Sequence, residues 1–289
     1  MPDAGRHEPD RFIPRLPIPW PGEVPQAQRA CRTVTRERLE RGLVISLDGI
    51  GGHNWLPRLL RRGLDRGGVR DAIAIFDWSF GPAGLYLADV FGLRRNRASA
   101  AALAAAIAAY RRWMPGRPVT LIGHSGGAAV AVWALEALAA QGGEPGGPHP
   151  VGAVERAILL APGLSRRYNL APALRAVRHR LWAAHSSCDL FFMGLGTSLV
   201  GALDRRWGPA AGLLGFKVPR GLSEEDRAAY AKVRAIPWRP AFIRQGHLGG
   251  HLGWSMPWFA QRVLAPIVRG ESDPGEGACL AGAGPGTAA

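Results

Sequence analysis

"LIGHSGGAAV", Leu121 to Val130, sets a His-Ser pair among glycines where an apolar run ends and an alanine-rich run begins. No residue between Arg117 and Glu136 carries a formal charge, so hydropathy alone would suggest a membrane span. The glycines divide the stretch. Ahead of them "PVTLI" is short and β-branched, and behind them "AAVAVWALEALAA" is rich in helix formers. The reading is strand, tight turn and helix, with Ser125 at the turn.

Outward from this unit, apolar β-like runs alternate with helical ones. The strand candidates are "GLVISLDG", "VRDAIAIFDWS", "PVTLIGHS", "VERAILLAPG", "RHRLWAAHSS" and "RPAFIRQGH". Helices are predicted over residues 55–66, 97–113, 127–140 and 170–177, with a last one starting near Pro257. Near-continuous apolar strands separated by helices predict an α/β fold, a mostly parallel sheet with helices on both faces. Residues 190–235 interrupt the alternation. That segment exceeds an ordinary connection and predicts helices of its own, which leaves a lid over a pocket and a plain structural elaboration both open. Residues 1–41 read as a Pro-rich and charged arm with a short helix before Gly42, and residues 42–269 as the domain proper. The Gly-rich stretch 270–289 almost lacks large apolar residues and is expected to be disordered, because it buries too little surface to offset its ordering entropy.

A chain of 289 residues with 47% hydrophobic content suits one catalytic domain. Its 36 basic residues against 22 acidic give a formal net charge of +14, which invites a nucleic-acid or anionic-membrane reading. The basic residues are scattered, nearly all are arginines, and no recognition motif accompanies them. No nucleic-acid partner is expected, and weak peripheral contact with a membrane surface stays as a lesser alternative. Cys31, Cys188 and Cys279 are too few and too far apart for a disulfide framework, and no CxxC pair suggests zinc. The first residues contain acidic side chains and repeated prolines but no apolar core of a secretory signal, so a cytoplasmic location is expected. None of these features fixes an oligomeric state.

Gly123-His124-Ser125-Gly126-Gly127 matches the G-x-S-x-G nucleophile elbow in its strand-to-helix context. A serine at such a turn projects its hydroxyl from the sheet edge, and bulk two positions away on either side would strike the crossing strand and helix. Small residues are therefore needed at 123 and 127. The turn also puts the Gly126 N–H at a helix start, where it can stabilise a developing oxyanion. His124 occupies the variable position, where packing or pointing away is the expectation. A Gly-rich turn without chemistry is the bland alternative.

With these residues the chain resembles the α/β-hydrolase superfamily over roughly residues 42–269, and within it uncharacterised bacterial lipase- or esterase-like members. The resemblance implies the α/β-hydrolase fold and a nucleophile, acid and histidine in that chain order. Ser125 is followed by Asp189, beyond "RHRLWAAHSS", and then by His247 and His251, beyond "RPAFIRQ". His251, in a Gly-Gly-His stretch before the last helix, is the favoured base. His247 is the alternative and could instead stabilise the loop. Among rival acids, Asp77 suits a pocket border or an exposed loop, Asp204 a solvated helix position beside Arg205 and Arg206, and Asp48 the loop after the first strand. That loop, Asp48-Gly49-Ile50-Gly51-Gly52, is similar to the HGxG loops of lipases with Asp in place of His. By position the Ile50 N–H would be the second oxyanion donor, close strand packing being the other reading of its glycines. His53-Asn54-Trp55 and Trp78 could line the site, while the remaining tryptophans suit the core.

The expectation is a serine hydrolase acting on a small-molecule ester or related acyl bond through an acyl-enzyme, with no metal or organic cofactor. Two rivals stay open: a non-catalytic binding protein that keeps the fold, and an acyltransferase that uses the same triad. The physiological substrate and its acyl chain are not specified by these motifs.

Overall fold

Five of the six apolar runs are parallel strands in the computed structural model, which describes residues 33–51, 55–79, 86–141, 152–196 and 201–271. They are β1 (Leu43–Leu47), β2 (Ala72–Phe76), β3 (Val119–His124), β4 (Val154–Leu160) and β5 (Val177–His185). With β6 (Val233–Pro237) they make one six-stranded, all-parallel sheet of order β2-β1-β3-β4-β5-β6. Every residue of β1 and β3 is buried, which is why these strands read as continuous apolar runs rather than alternating ones.

Successive side chains of each strand serve opposite faces. Leu43, Ile45, Leu47 and Leu121 join one core with Leu103, Ile107, Val130 and Trp133 of α4 (Leu93–Trp113) and α5 (Gly126–Gln141). Val44, Ile73, Ile122 and Ile158 join a second core with Leu60 and Leu64 of α2 (Trp55–Arg66) and with Phe259 and Leu264 of the closing helical stretch, Pro257–Phe259, Ala260–Leu264 and Ala265–Arg269. The sheet is thus sandwiched between two helical layers. The uncharged stretch around the elbow divides between β3 and α5, and no described helix is long and apolar enough to cross a membrane.

The final strand is not where the sequence suggests. "RPAFIRQ" is a 3-10 helix, Pro240–Gln245, and the strand lies earlier, at Val233–Pro237, overlapping the end of the segment assigned to residues 190–235. Pro237 and Pro240 each remove a backbone donor, and the ring of Pro240 presets the first turn of the short helix. That helix buries Phe242 and leaves Ile243 exposed.

Before β6 the chain forms a π-helical turn at Leu190–Gly196, α7 (Ala211–Leu214), α8 (Glu224–Ala229) and a 3-10 turn at Tyr230–Lys232. In α8 the Ser223 hydroxyl accepts from the Asp226 N–H, and three acidic residues follow in the first turn, where they suit the helix dipole. Around α7 the chain is tied to the loops beyond β4 and β5: Ala211 N–H donates to Leu164 O, Gly212 N–H to Pro162 O, and Ser186 N–H to Gly212 O. Asp204 lies in a turn rather than a helix, because it is engaged in holding Ser165, whose N–H donates to Oδ1 at 3.1 Å and whose hydroxyl donates to Oδ2.

Residues 33–41 pack onto the domain rather than away from it. Thr33 and Ile73 bond through their main chains at the open edge of β2, and the Tyr110 hydroxyl donates to Leu39 O at 2.6 Å. Most of the N-terminal arm and nearly all of the stretch 270–289 lie outside the described residues.

Candidate active site

Ser125 follows β3 directly with φ +52°, a left-handed conformation that a residue with a Cβ rarely adopts. Three hydrogen bonds hold it there. Its N–H donates to Leu160 O at 2.8 Å, and its carbonyl accepts from Ala128 N–H at 3.1 Å and Gly163 N–H at 3.0 Å. The flanking glycines have the steric reason expected of them. A Cβ on Gly123 would lie 2.6 Å from Ala128 Cα, and one on Gly127 would lie 2.2 Å from Asp48 O.

The loop after β1 runs directly beside the serine, since a Cβ on Gly49 would come within 3.3 Å of Ser125 Cβ and 3.7 Å of its Oγ. Ile50 packs over the start of α5, where a Cβ on Gly126 would meet Ile50 Cγ2 at 2.9 Å. Gly126 opens the helix, so its N–H has no carbonyl partner within it. Asp48, the departure from the lipase pattern, is buried and accepts the N–H of its neighbour Gly49 at 2.8 Å. Gly52, His53 and Asn54 lie outside the described residues.

Asp189 and His251 meet. The acid follows β5 and the histidine follows β6, and the His251 Nδ1–H donates to Asp189 Oδ2 at 2.5 Å with both side chains almost fully buried. This hydrogen bond fixes the tautomer and leaves Nε2 as the basic nitrogen. His251 opens a 3-10 turn, His251–Ser255, at the end of a loop made possible by left-handed Gly246 and Gly249. The two loops are joined a second time, because the buried Ser186 hydroxyl donates to Gly249 O at 2.6 Å. On its other side the His251 ring is stacked on Phe192, centroids 4.8 Å apart.

His124 does not point away from the site. Its Nε2–H donates to the His251 carbonyl at 3.0 Å, and the two rings stand 4.7 Å apart, which brings the His251 loop against the residue preceding Ser125. Complete burial pushes the His124 pKa down to about 3, so the imidazole is neutral and Nδ1 carries no proton.

His247 is built into the wall. Its Nδ1 accepts from Gly249 N–H at 3.0 Å, and the ring meets Trp254 and Phe259 edge to face at 4.1 and 5.1 Å. Burial lowers its pKa to about 4. Of the rival acids, Asp77 is exposed and accepts only locally from Ser79 Oγ at 3.3 Å, while Asp204 is committed to Ser165. Trp78 does border the site: its ring lies over Gly126, and its Nε1–H donates to Asp48 O at 2.8 Å. Trp55 is exposed.

Three apolar residues follow the acid outward, Leu190, Phe191 and Phe192, and Leu248 and Leu252 bracket His251; all five are exposed, Phe191 by 71% and Leu248 by 79%. The mouth of the site is therefore apolar. Among the described residues no group of three His, Cys, Asp or Glu side chains is placed to hold a metal ion. A groove of about 290 Å³ lined by Arg156, His179, Arg180 and Trp182 lies toward the opposite end of the strands and shares no residue with this site. Ser186 and Phe192 escaped the sequence reading, since their partners Gly249 and His251 are remote in the chain and no local pattern marks them.

Residues 68–170 match the model of a family described as α/β hydrolases of unknown function, DUF900. No curated protein matches the chain. Among solved structures it is similar to a predicted CIB-like hydrolase from Thermoplasma acidophilum, at 14% identity and TM-score 0.42 over 82% of this chain and 89% of that one. It is also similar to Aspergillus fumigatus lipase B, at 12% identity and TM-score 0.49 over 85% of this chain and 56% of that one. A third likeness is to LpqC, a poly(3-hydroxybutyrate) depolymerase from Bordetella parapertussis, at 15% identity and TM-score 0.44 over 81% and 80% of the two chains. The parallel sheet of this strand order turns sharply into a helix at a left-handed serine, which is the α/β-hydrolase fold, and the family model matches the chain across that turn.

Proposed function

We propose that the protein is a serine hydrolase that cleaves an ester or related acyl bond through Ser125, His251 and Asp189. The observation that carries this reading is the 2.5 Å hydrogen bond from His251 Nδ1–H to Asp189 Oδ2, with the His251 carbonyl held by His124, the residue before the left-handed Ser125. His251 Nε2 takes the Ser125 proton as Oγ attacks the carbonyl carbon, and Asp189 stabilises the imidazolium that forms. The oxyanion is held by the N–H groups of Gly126 and Ile50. Collapse of the tetrahedral intermediate expels the alcohol, which receives the proton from His251 and leaves an acyl-Ser125. A water molecule, deprotonated by the same nitrogen, then releases the acid. The exposed Leu190, Phe191, Phe192, Leu248 and Leu252 support an apolar acyl or alcohol group on the substrate.

A fluorophosphonate probe tests the reading. The expected result is stoichiometric modification at Ser125, absent in Ser125→Ala. A folded wild-type protein that never labels would overturn the assignment.

A further inference from the structure

One buried polar network beside the site has no part in the steps above. Asp89, fully buried on α3 (Tyr86–Phe91), accepts the Gly51 N–H at Oδ2 over 2.9 Å and Arg95 Nη1–H at Oδ1 over 3.0 Å. Arg95 Nη2–H continues to the Trp78 carbonyl at 2.6 Å, and Trp78 Nε1–H donates to Asp48 O at 2.8 Å. Asn96 Nδ2–H holds the Asp89 carbonyl at 2.6 Å. The loop from Asp48 to Gly51 is thereby gripped at both ends, by the Trp78 indole at one and the Asp89 carboxylate at the other. Gly49 and Ile50 lie between the grips, against Ser125 and Gly126.

A loop with glycines at 49 and 51 has wide conformational freedom of its own. An oxyanion donor, by contrast, acts only when held within a few tenths of an ångström of where charge develops. An ionised acceptor makes a stronger bond to an N–H than a neutral one does, and Arg95, itself largely buried, faces that carboxylate with the opposite charge. Buried ion pairs add little net stability, so a pair at this position is better accounted for by what it holds in place.

We infer that Asp89 and Arg95 are positioning residues that hold the Ile50 N–H over Ser125 through Gly51 and Trp78. This rests on the reading of Ser125 as nucleophile and of Ile50 as an oxyanion donor. The role concerns a stage at which negative charge builds on the substrate oxygen, so its loss appears in kcat rather than in KM.

The test compares Asp89→Ala, Asp89→Asn and Arg95→Lys with wild type in hydrolysis of p-nitrophenyl butyrate, in affinity for a trifluoromethyl ketone, and in hydrogen exchange at the Gly51 amide. Asp89→Ala should lower kcat about a hundredfold with KM within about twofold, weaken the ketone in parallel and speed Gly51 exchange. Asp89→Asn keeps an acceptor oxygen and should recover part of kcat. Arg95→Lys keeps the charge but loses the fork that reaches both Asp89 and Trp78, so it should show a smaller loss of the same kind even where Asp89→Ala does not fold. Folded variants with wild-type kcat, or with unaltered Gly51 exchange, would overturn the inference while leaving a labelling, active Ser125 intact. Wild-type protein that neither labels at Ser125 nor hydrolyses the ester would overturn the underlying reading and this inference with it.

Discussion

Replacing Asp189 by Asn keeps the side chain's volume and removes the charge that faces His251 Nδ1–H. In the proposed mechanism that charge fixes the tautomer and stabilises the imidazolium, so Asp189→Asn should preserve the fold and lower kcat by about ten-thousandfold. Steady-state kinetics on a folded variant decide it, and near-normal turnover would return the acid role to Asp77 or Asp204. The two histidines separate just as sharply. His251→Ala should abolish hydrolysis, whereas His247→Ala should keep measurable turnover and lose about 3 kcal/mol of stability, because it empties a space among Trp254 and Phe259. Loss of activity only in His247→Ala would reverse the assignment. Ser125 and its glycines were legible because the pattern they make is local. Asp89 and Arg95 were not, since Gly51 lies 38 residues from the carboxylate it bonds.

At the scale of elements, the unit from β3 through Ser125 to α5 depends on how closely the helix can approach β1. A methyl group at position 127 would collide with Asp48 O, which is backbone and cannot swing aside, and with Leu47 Cβ at 2.8 Å. Gly127→Ala should therefore cost about 3 kcal/mol, the upper end of what overpacking costs. Gly250→Ala is the control: nothing lies within 4 Å of its Cβ position, and a change within about 0.5 kcal/mol is expected. Urea unfolding of both variants measures the contrast, and equal stabilities would show that the elbow tolerates bulk. The buried strands β1 to β5 were legible as apolar runs, while β6, an edge strand with a polar-interrupted "VRAIP", was not. Its neighbour "PAFIRQ" is equally apolar yet coils, because proline geometry and the burial of Phe242 outweigh β-propensity there.

For the whole molecule, buried neutral histidines set a limit on acid stability. His124 and His247 have pKa values pushed by desolvation from 6.5 to about 3 and about 4, so both are uncharged when folded and take up a proton on unfolding as pH falls below 6.5. The unfolded state then binds more protons, and stability declines from about pH 6.5 toward pH 4, by up to about 1.4 kcal/mol per pH unit for each group. Asp71, whose carboxyl is raised by burial, acts in the opposite sense. Urea unfolding at pH 7.5, 6 and 5 should show this decline, with a shallower slope in His247→Phe. A wild-type protein equally stable at all three values would contradict it.

The sequence by itself determined the parallel α/β architecture and the turn at Ser125, because hydrophobic periodicity and the small-residue pattern of a strand-to-helix turn are written in residues a few positions apart. It also narrowed the candidates for the proposed acid and base to a few, through the chain order that the resemblance implies. Only the tertiary structure decided which histidine faces Asp189, that His124 turns inward to the His251 carbonyl, and that Asp89, Arg95 and Trp78 grip the loop beside the serine. Those outcomes depend on groups from 6 to 127 residues apart meeting in a buried space, where each polar group must find a partner. The partner that wins is set by how the strands and helices pack.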